Sequence, residues 1–263
     1  MPRGLNPYDE ARLQGRLWTP LIFGSDLSLL LRTRPLANFR NNALSTWIDE
    51  SGRGNHATSV VAPSIAVVNG NPCLNFTGTQ SMTANGLLTN GLVANGNPHT
   101  TVIVATGTSG TLWTIGFATS ATPLYPLIDI SSGLWRYIYR DNAGVIRYQA
   151  ATTGITGSTG LSMLTSVVGA GLAVSLRHNT TQWSTGSLVT TNYASYTDVS
   201  IGRRSGGTNL LSGQIYAICY VARELSPKEI ESLHGYLAWD CGLQSVVLPA
   251  SHPFRNCPPL IGD

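Results

Sequence analysis

The residue types able to do chemistry in this 263-residue chain are few and scattered. Its glutamates are Glu10, Glu50, Glu224, Glu229 and Glu231: one near the N-terminus, one in a turn-rich stretch and three around a helix start. Retaining glycoside hydrolysis needs an acid and a nucleophile about 5 Å apart, and this spacing offers no such pair. Serine, histidine and cysteine positions form neither a nucleophile elbow nor a triad order. The cysteines at 73, 219, 241 and 257 contain no C-x-x-C pair, which argues against zinc. Cys73 and Cys219 lie in apolar runs and read as buried thiols, whereas Cys241 and Cys257 flank an irregular tail and read as the better disulfide pair. Calcium needs several converging oxygens, and Asp129, Asp141 and Asp198 are too isolated to assign. Neither a cofactor or metal nor an enzyme is expected.

Binding chemistry is better represented. Trp135, Tyr137 and Tyr139 alternate along one strand, and the adjoining turn supplies Arg140, Asp141 and Asn142. With Trp183 these residues would give a glycan a stacking face and polar partners. They also read as filler between two sheets, and that reading comes first. A second group lies near the N-terminus, where the first 40 residues hold six arginines against Asp9, Glu10 and Asp26, the whole net charge of +3. Arg3, Arg12 and Arg16, with Trp18 as an apolar plug, read as an anchoring arm over residues 1–20 that docks on an acidic partner surface. The alternative is a strand or helix packed within its own domain. The rest of the chain is neutral and shows no basic stripe, so nucleic acid is not an expected partner. Met1 is not followed by a signal-peptide core, and the apolar runs at 27–31 and 167–174 are too short to span a membrane.

The elements that must position these groups are mostly strands. Charged residues make up 11% and apolar residues 42%, with 28 glycines spread among Thr, Ser and Asn. That balance suits short strands and tight turns rather than coiled coil or disorder. Turn signals recur at 51–55, 69–72, 95–98, 141–144 and 204–207. Between them, 100–106 and 112–118 read as strands joined by a hairpin loop at 107–110, and 134–140 turns into 145–151 as a second hairpin. Strands are expected also at 172–177, 199–203 and 213–222, the last apolar on both faces and therefore central. Ser226-Pro227-Lys228-Glu229 supplies a capping box with proline at the first helical position, and Ile230, Leu233 and Leu237 continue as an apolar stripe. The spacing predicts a helix over 227–240. Residues 244–263 are proline-rich and read as an irregular tail.

Three segments carry a resemblance. Trp47-Ile48-Asp49-Glu50-Ser51-Gly52-Arg53-Gly54-Asn55-His56-Ala57 resembles the "W-x-D-x-S-G-x-G-x-x-A" segment of concanavalin A-like lectin/glucanase (laminin-G-like) domains, as found in phage and bacterial surface proteins. Pro72-Cys73-Leu74-Asn75-Phe76-Thr77-Gly78 is similar to that family's "P-x-L-x-F-x-G" strand. Residues 213–230, with Gly235-Tyr236-Leu237-Ala238-Trp239, resemble its closing strand and helix. The resemblance runs over 21–243 and implies an all-β, two-sheet antiparallel jelly-roll sandwich with one short helix. The family's glucanases carry an E-x-D-x-E strand, which this sequence lacks. In the turn, Trp47 is expected in the core, Asp49 as a backbone acceptor and His56 as a turn hydrogen-bonder.

The arm, the tail and the phage-like motifs together imply a non-enzymatic virion structural or decoration protein of a phage head or tail, assembled in the host cytoplasm. Its expected partners are other virion proteins and copies of itself, with host surface polysaccharide as a further contact and no membrane. The alternative is a carbohydrate-binding adhesin module; a glycoside hydrolase stands behind both.

Overall fold

Alternating strand and turn signals become a two-sheet sandwich in the computed structural model, which describes residues 6–33, 39–40, 45–68, 70–84, 98–116, 126–140, 145–151, 160–188, 198–204 and 207–263. Helix α1 (Pro7–Leu13) precedes the strands β1 (Leu27–Arg32), β2 (Phe39–Arg40), β3 (Thr46–Trp47), β4 (Ala57–Val61), β5 (Ser64–Val68), β6 (Asn71–Thr77), β7 (Ser81–Thr83), β8 (His99–Gly116), β9 (Pro126–Ser131), β10 (Leu134–Arg140), β11 (Ile146–Ala151), β12 (Ser162–Val168), β13 (Ala173–His178), β14 (Thr181–Ser187), β15 (Asp198–Ile201) and β16 (Ser212–Val221). Helices α2 (Pro227–Asp240) and α3 (Gln244–Val247) follow. All the strand pairings are antiparallel.

Sheet one runs β14-β13-β12-β8-β16, and the far side of β16 is shared by β1 at residues 217–221 and by β6, with β5 beyond it, at 212–215. Sheet two runs β11-β10-β9-β8-β15-β7-β4-β3-β2. The long strand β8 belongs to both: its first half pairs β12 and β16, its second half β9 and β15. The expected hairpin at 107–110 is therefore absent. Gly107 and Gly110 let one strand pass from sheet to sheet instead of reversing it. A Cβ on Gly107 would come within 2.6 Å of the Ile130 side chain and one on Gly110 within 2.1 Å of the Leu210 carbonyl oxygen, and Gly110 has φ +98°.

Burial explains the rest of the strand text. Trp47, Phe76, Trp113, Trp135, Tyr139 and Tyr220 meet between the sheets with aliphatics from both. Every residue of β12 is buried, because it has a strand on either side and a packed layer on each face. The hairpin β10–β11 and the strands β13, β15 and β16 lie where the alternation places them.

A second apolar layer covers the back of sheet one. Leu27, Leu30, Val102, Met163 and Cys219 from the sheet meet Ile230, Leu233 and Leu237 of α2. The capping box forms as read: the Ser226 Oγ accepts from the Glu229 backbone N–H, and the Glu229 carboxylate accepts from the Ser226 N–H. The layer also contains Tyr8, Leu17 and Trp18, with Val247 and Leu248 beyond α2. The segment read as a free arm is thus packed down. Trp18 is 7% exposed, its ring edge-on to Phe23 and Tyr236, and Leu17 bridges to Leu260. The physical reason is the apolar back of sheet one, which α2 alone does not cover. The tail likewise carries α3 and buries Phe254 against Gly235, and the disulfide reading fails: Cys241, buried, and Cys257, on the surface, are not joined.

Candidate functional site

The residues that reach the outward face of sheet two follow from its register. Thr46, Thr58, Thr83, Ser200 and Thr114 form one row across β3, β4, β7, β15 and β8, continued by Leu127 and Ile138 on β9 and β10. Their sequence neighbours Trp47, Ala57, Met82, Ile201, Trp113 and Tyr137 point into the core, so the hydroxyl row lies on the other face. Thr114 and Ser200 are fully buried at its centre, and Thr58 is exposed.

The next row holds the charge. Asp129 is fully buried beside Thr111 and opposite Arg136. Arg136 donates from Nε and Nη2 to the two Asp129 oxygens at 2.8 and 2.6 Å, a forked pair that fixes both side chains. The Arg204 guanidinium lies 3.7 Å from the same carboxylate, and Arg203 donates to Thr83 at 3.4 Å. Asn209 donates to Thr111 at 2.8 Å. The Thr114 Oγ1 is buried and has no hydrogen-bond partner. Such a hydroxyl costs about 1–3 kcal/mol. Arg136 and Arg204 keep 23% and 26% of their side-chain surface open, so the floor is buried and the guanidiniums form the accessible rim.

Cationic character extends beyond these contacts. Between residues 54 and 222 the chain has Arg136, Arg140, Arg147, Arg177, Arg203 and Arg204 against Asp129, Asp141 and Asp198. Six arginines against three acids give that stretch a net charge of +3. Leu127 and Ile138 are buried with the floor, and the forked guanidinium donors and hydroxyls at its rim suit an anionic, hydroxyl-rich ligand.

The aromatic residues expected to stack on a sugar lie elsewhere. Trp135, Tyr137 and Tyr139 are at most 2% exposed in the inter-sheet core, and the Trp135 indole N–H donates to Ser162 Oγ at 3.1 Å. Trp183, half-buried on β14, packs against that core. The structure does bring Trp135, Tyr137 and Trp183 together, but the void among them is about 10 Å³, too small for a sugar. Arg140 ends β10 on the outward face, while Asp141 and Asn142 lie outside the described residues.

A different cleft, of about 370 Å³, opens between α1, β1 and α2. At its floor Arg32 forms a fork with Glu50 and donates to Asp240 at 2.6 Å, and the Tyr8 hydroxyl donates to the same Asp240 oxygen at 2.7 Å. Burial opposes the Arg32 charge, but Asp240, Tyr236 and Glu50 outweigh it and raise its pKa. Burial and then Asp240 push the Tyr8 phenol up. The floor groups bind one another, so the network reads as the clamp that seats α1. Of the expected anchoring cations, Arg12 lines this cleft and is exposed, Arg16 is exposed, and Arg3 lies outside the described residues. The turn after β3 is structural too: Asp49 accepts from the Leu30, Ser51 and Asn55 backbone N–H groups, and His56 Nδ1 accepts from Asp49 N. No group of His, Cys, Asp and Glu among the described residues could hold a metal ion.

No family model and no curated protein sequence matches the chain. Solved structures do. The binding domain of Paraclostridial Mosquitocidal Protein 1 superposes with a TM-score of 0.61 at 12% identity, over 81% of this chain and 52% of that one. The likeness is one of fold. The receptor binding domain of botulinum neurotoxin mosaic serotype C/D gives 0.58 at 12% identity over 80% of this chain and 50% of its own. The chain therefore spans about half the length of these two structures. The CBM40 of Ruminococcus gnavus IT-sialidase, solved bound to α2,3-sialyllactose, gives 0.51 at 15% identity over 60% of this chain and 93% of that one.

Proposed function

We propose that this chain is a non-enzymatic carbohydrate-binding module whose outward face on sheet two takes an anionic glycan. The observation that carries the reading is the Asp129–Arg136 fork with Arg204 and Arg203 beside it, set in a hydroxyl row whose buried Thr114 Oγ1 is unpartnered. Arg204 and Arg203 reach the ligand's carboxylate, Arg136 is held in place by Asp129, and Thr58 and Thr83 take sugar hydroxyls at the rim. Two similar folds are named with acidic glycans, the sialyllactose-bound CBM40 and a botulinum neurotoxin type C whose cell entry depends on two ganglioside molecules. Their ligands agree with the charge of this face. A place in a virion rests on the sequence resemblance alone, since the arm that gave it a physical basis is docked on its own domain.

Titration calorimetry with 3′-sialyllactose, polygalacturonate and lactose tests the reading. The two anionic probes are expected to bind, more weakly as salt rises, and lactose is not. Arg204→Gln should weaken binding by roughly tenfold or more with the melting temperature unchanged. Failure of both anionic probes, equal binding of lactose, or release of free sugar from the probes would each overturn it.

A further inference from the structure

Strand β5 is the edge of sheet one, paired among the described strands with β6 only. Its exposed surface is apolar: Ile65 is 40% and Val67 64% exposed, and Val61, which leads into it, is 50% exposed. Natural sheet edges are guarded by lysine, by other charge or by proline within the strand. Here the guard is missing. No Asp, Glu, Lys or Arg occurs from residue 54 to residue 128, the chain's one lysine is Lys228 on α2, and Pro63 precedes the strand rather than interrupting it.

The register settles which backbone groups the edge presents. Val67 lies opposite Pro72, which has no N–H, so this pair falls where the β5–β6 ladder skips its hydrogen bonds. By alternation Ser64, Ala66 and Val68 bond inward to β6, while the N–H and C=O groups of Ile65 and Val67 point outward. An incoming strand meets those two residues.

We propose that the occupant is β5 of a second copy, paired antiparallel about a two-fold axis at Ala66. Rotation about that axis sets Ile65 against Val67 of the other copy and Val67 against its Ile65. Each pair exchanges both of its hydrogen bonds, and the exposed aliphatics of one copy cover those of the other. Ala66 meets itself at the close, non-bonded position, where a small side chain fits. The strand is thus self-complementary, as a two-fold interface requires. Its lack of charge leaves no like-charge repulsion between copies.

Sedimentation of the full chain over the micromolar range, read against its 28.0 kDa mass, tests this. A concentration-dependent dimer is expected. Val67→Pro removes the outward N–H without touching the β6 ladder, and Val67→Lys puts charge on the edge; both should be monomeric where the parent is dimeric, and should melt with the parent at concentrations where it too is monomeric. Val145→Lys, on an exposed aliphatic of another strand junction, should remain dimeric. A monomeric parent at the highest concentration, or dimers persisting in both Val67 variants, would overturn the proposal. Glycan titration of the same samples is a separate readout, so loss of pairing and loss of binding are distinguishable.

Discussion

At Asp129 a carboxylate is kept fully out of water by arginines that remain partly in it. Removing that charge leaves Arg136 and Arg204 facing each other across a buried floor. Asp129→Asn is expected to lower stability by about 3 kcal/mol, measured by urea unfolding, and to disorder the rim that the glycan needs. An unchanged midpoint would show that the pair is a surface contact without structural weight. The sequence exposed half of this site. The alternation of Trp135, Tyr137 and Tyr139 against Arg136, Ile138 and Arg140 is plain in the sequence, whose first reading sets the aromatic side between the sheets and whose second gives it to a glycan with Arg140, Asp141 and Asn142. The sandwich buries that side because large rings fill the space between sheets, and it turns the arginines outward. Arg203, Arg204 and Thr114 come from other strands and join the site through sheet register, which local spacing does not contain.

Among the elements, α2 shows what a buried titratable group does to acid tolerance. His234 is 1% exposed, its Nε2 sits 2.7 Å from Thr165 Oγ1, and burial, then His252 and Arg177, lower its pKa from 6.5 to about 3. Burial likewise lowers His252, whose ring is tilted against that of Phe254, to about 4. Both histidines stay neutral in the fold at pH values where the unfolded chain binds protons. Stability should therefore be flat above about pH 6.5 and fall as pH drops from there toward 4, by up to about 1.4 kcal/mol per pH unit for each histidine. His234→Gln, which keeps a partner for Thr165, should flatten that decline, and an unchanged pH profile would count against the histidine as its source. The helix itself was legible to the residue, since a capping box and an apolar stripe are local signals. The hairpin misread at 107–110 shows the limit: glycines mark both a reversal and a close crossing, and only the packing of Leu210 and Ile130 distinguishes them.

For the molecule as a whole, the N-terminal segment is part of the outer layer. Tyr8, Leu17 and Trp18 are buried, and Tyr8 completes the network of Arg32, Asp240 and Glu50. Deleting residues 1–20 should therefore lower the melting temperature sharply, through exposure of Tyr236 and Leu30 and loss of the clamp. A truncated chain that melts with the parent would restore the free-arm reading. Net charge draws attention to this segment, while its function in the fold is carried by Tyr8, Ala11, Leu17 and Trp18, too few to show a period. If the two-fold pairing at β5 holds, each assembly carries two glycan faces, and multivalent surfaces should be bound more tightly than free sugars.

Strand β8 also sets the order in which a growing chain can fold. Its partners lie at 127–130, 162–168, 198–201 and 212–221, and β1, made first, waits for β16, made last among the strands. On the ribosome, sheet two cannot close until residue 201 has emerged nor sheet one until residue 221, and the helix that covers sheet one comes later still. Between residues 128 and 201 of its synthesis the nascent protein therefore presents an uncharged stretch of more than seventy residues with no finished sheet to receive it. Routing two sheets through one strand is therefore expected to show as poor recovery on refolding from denaturant, measured against concentration.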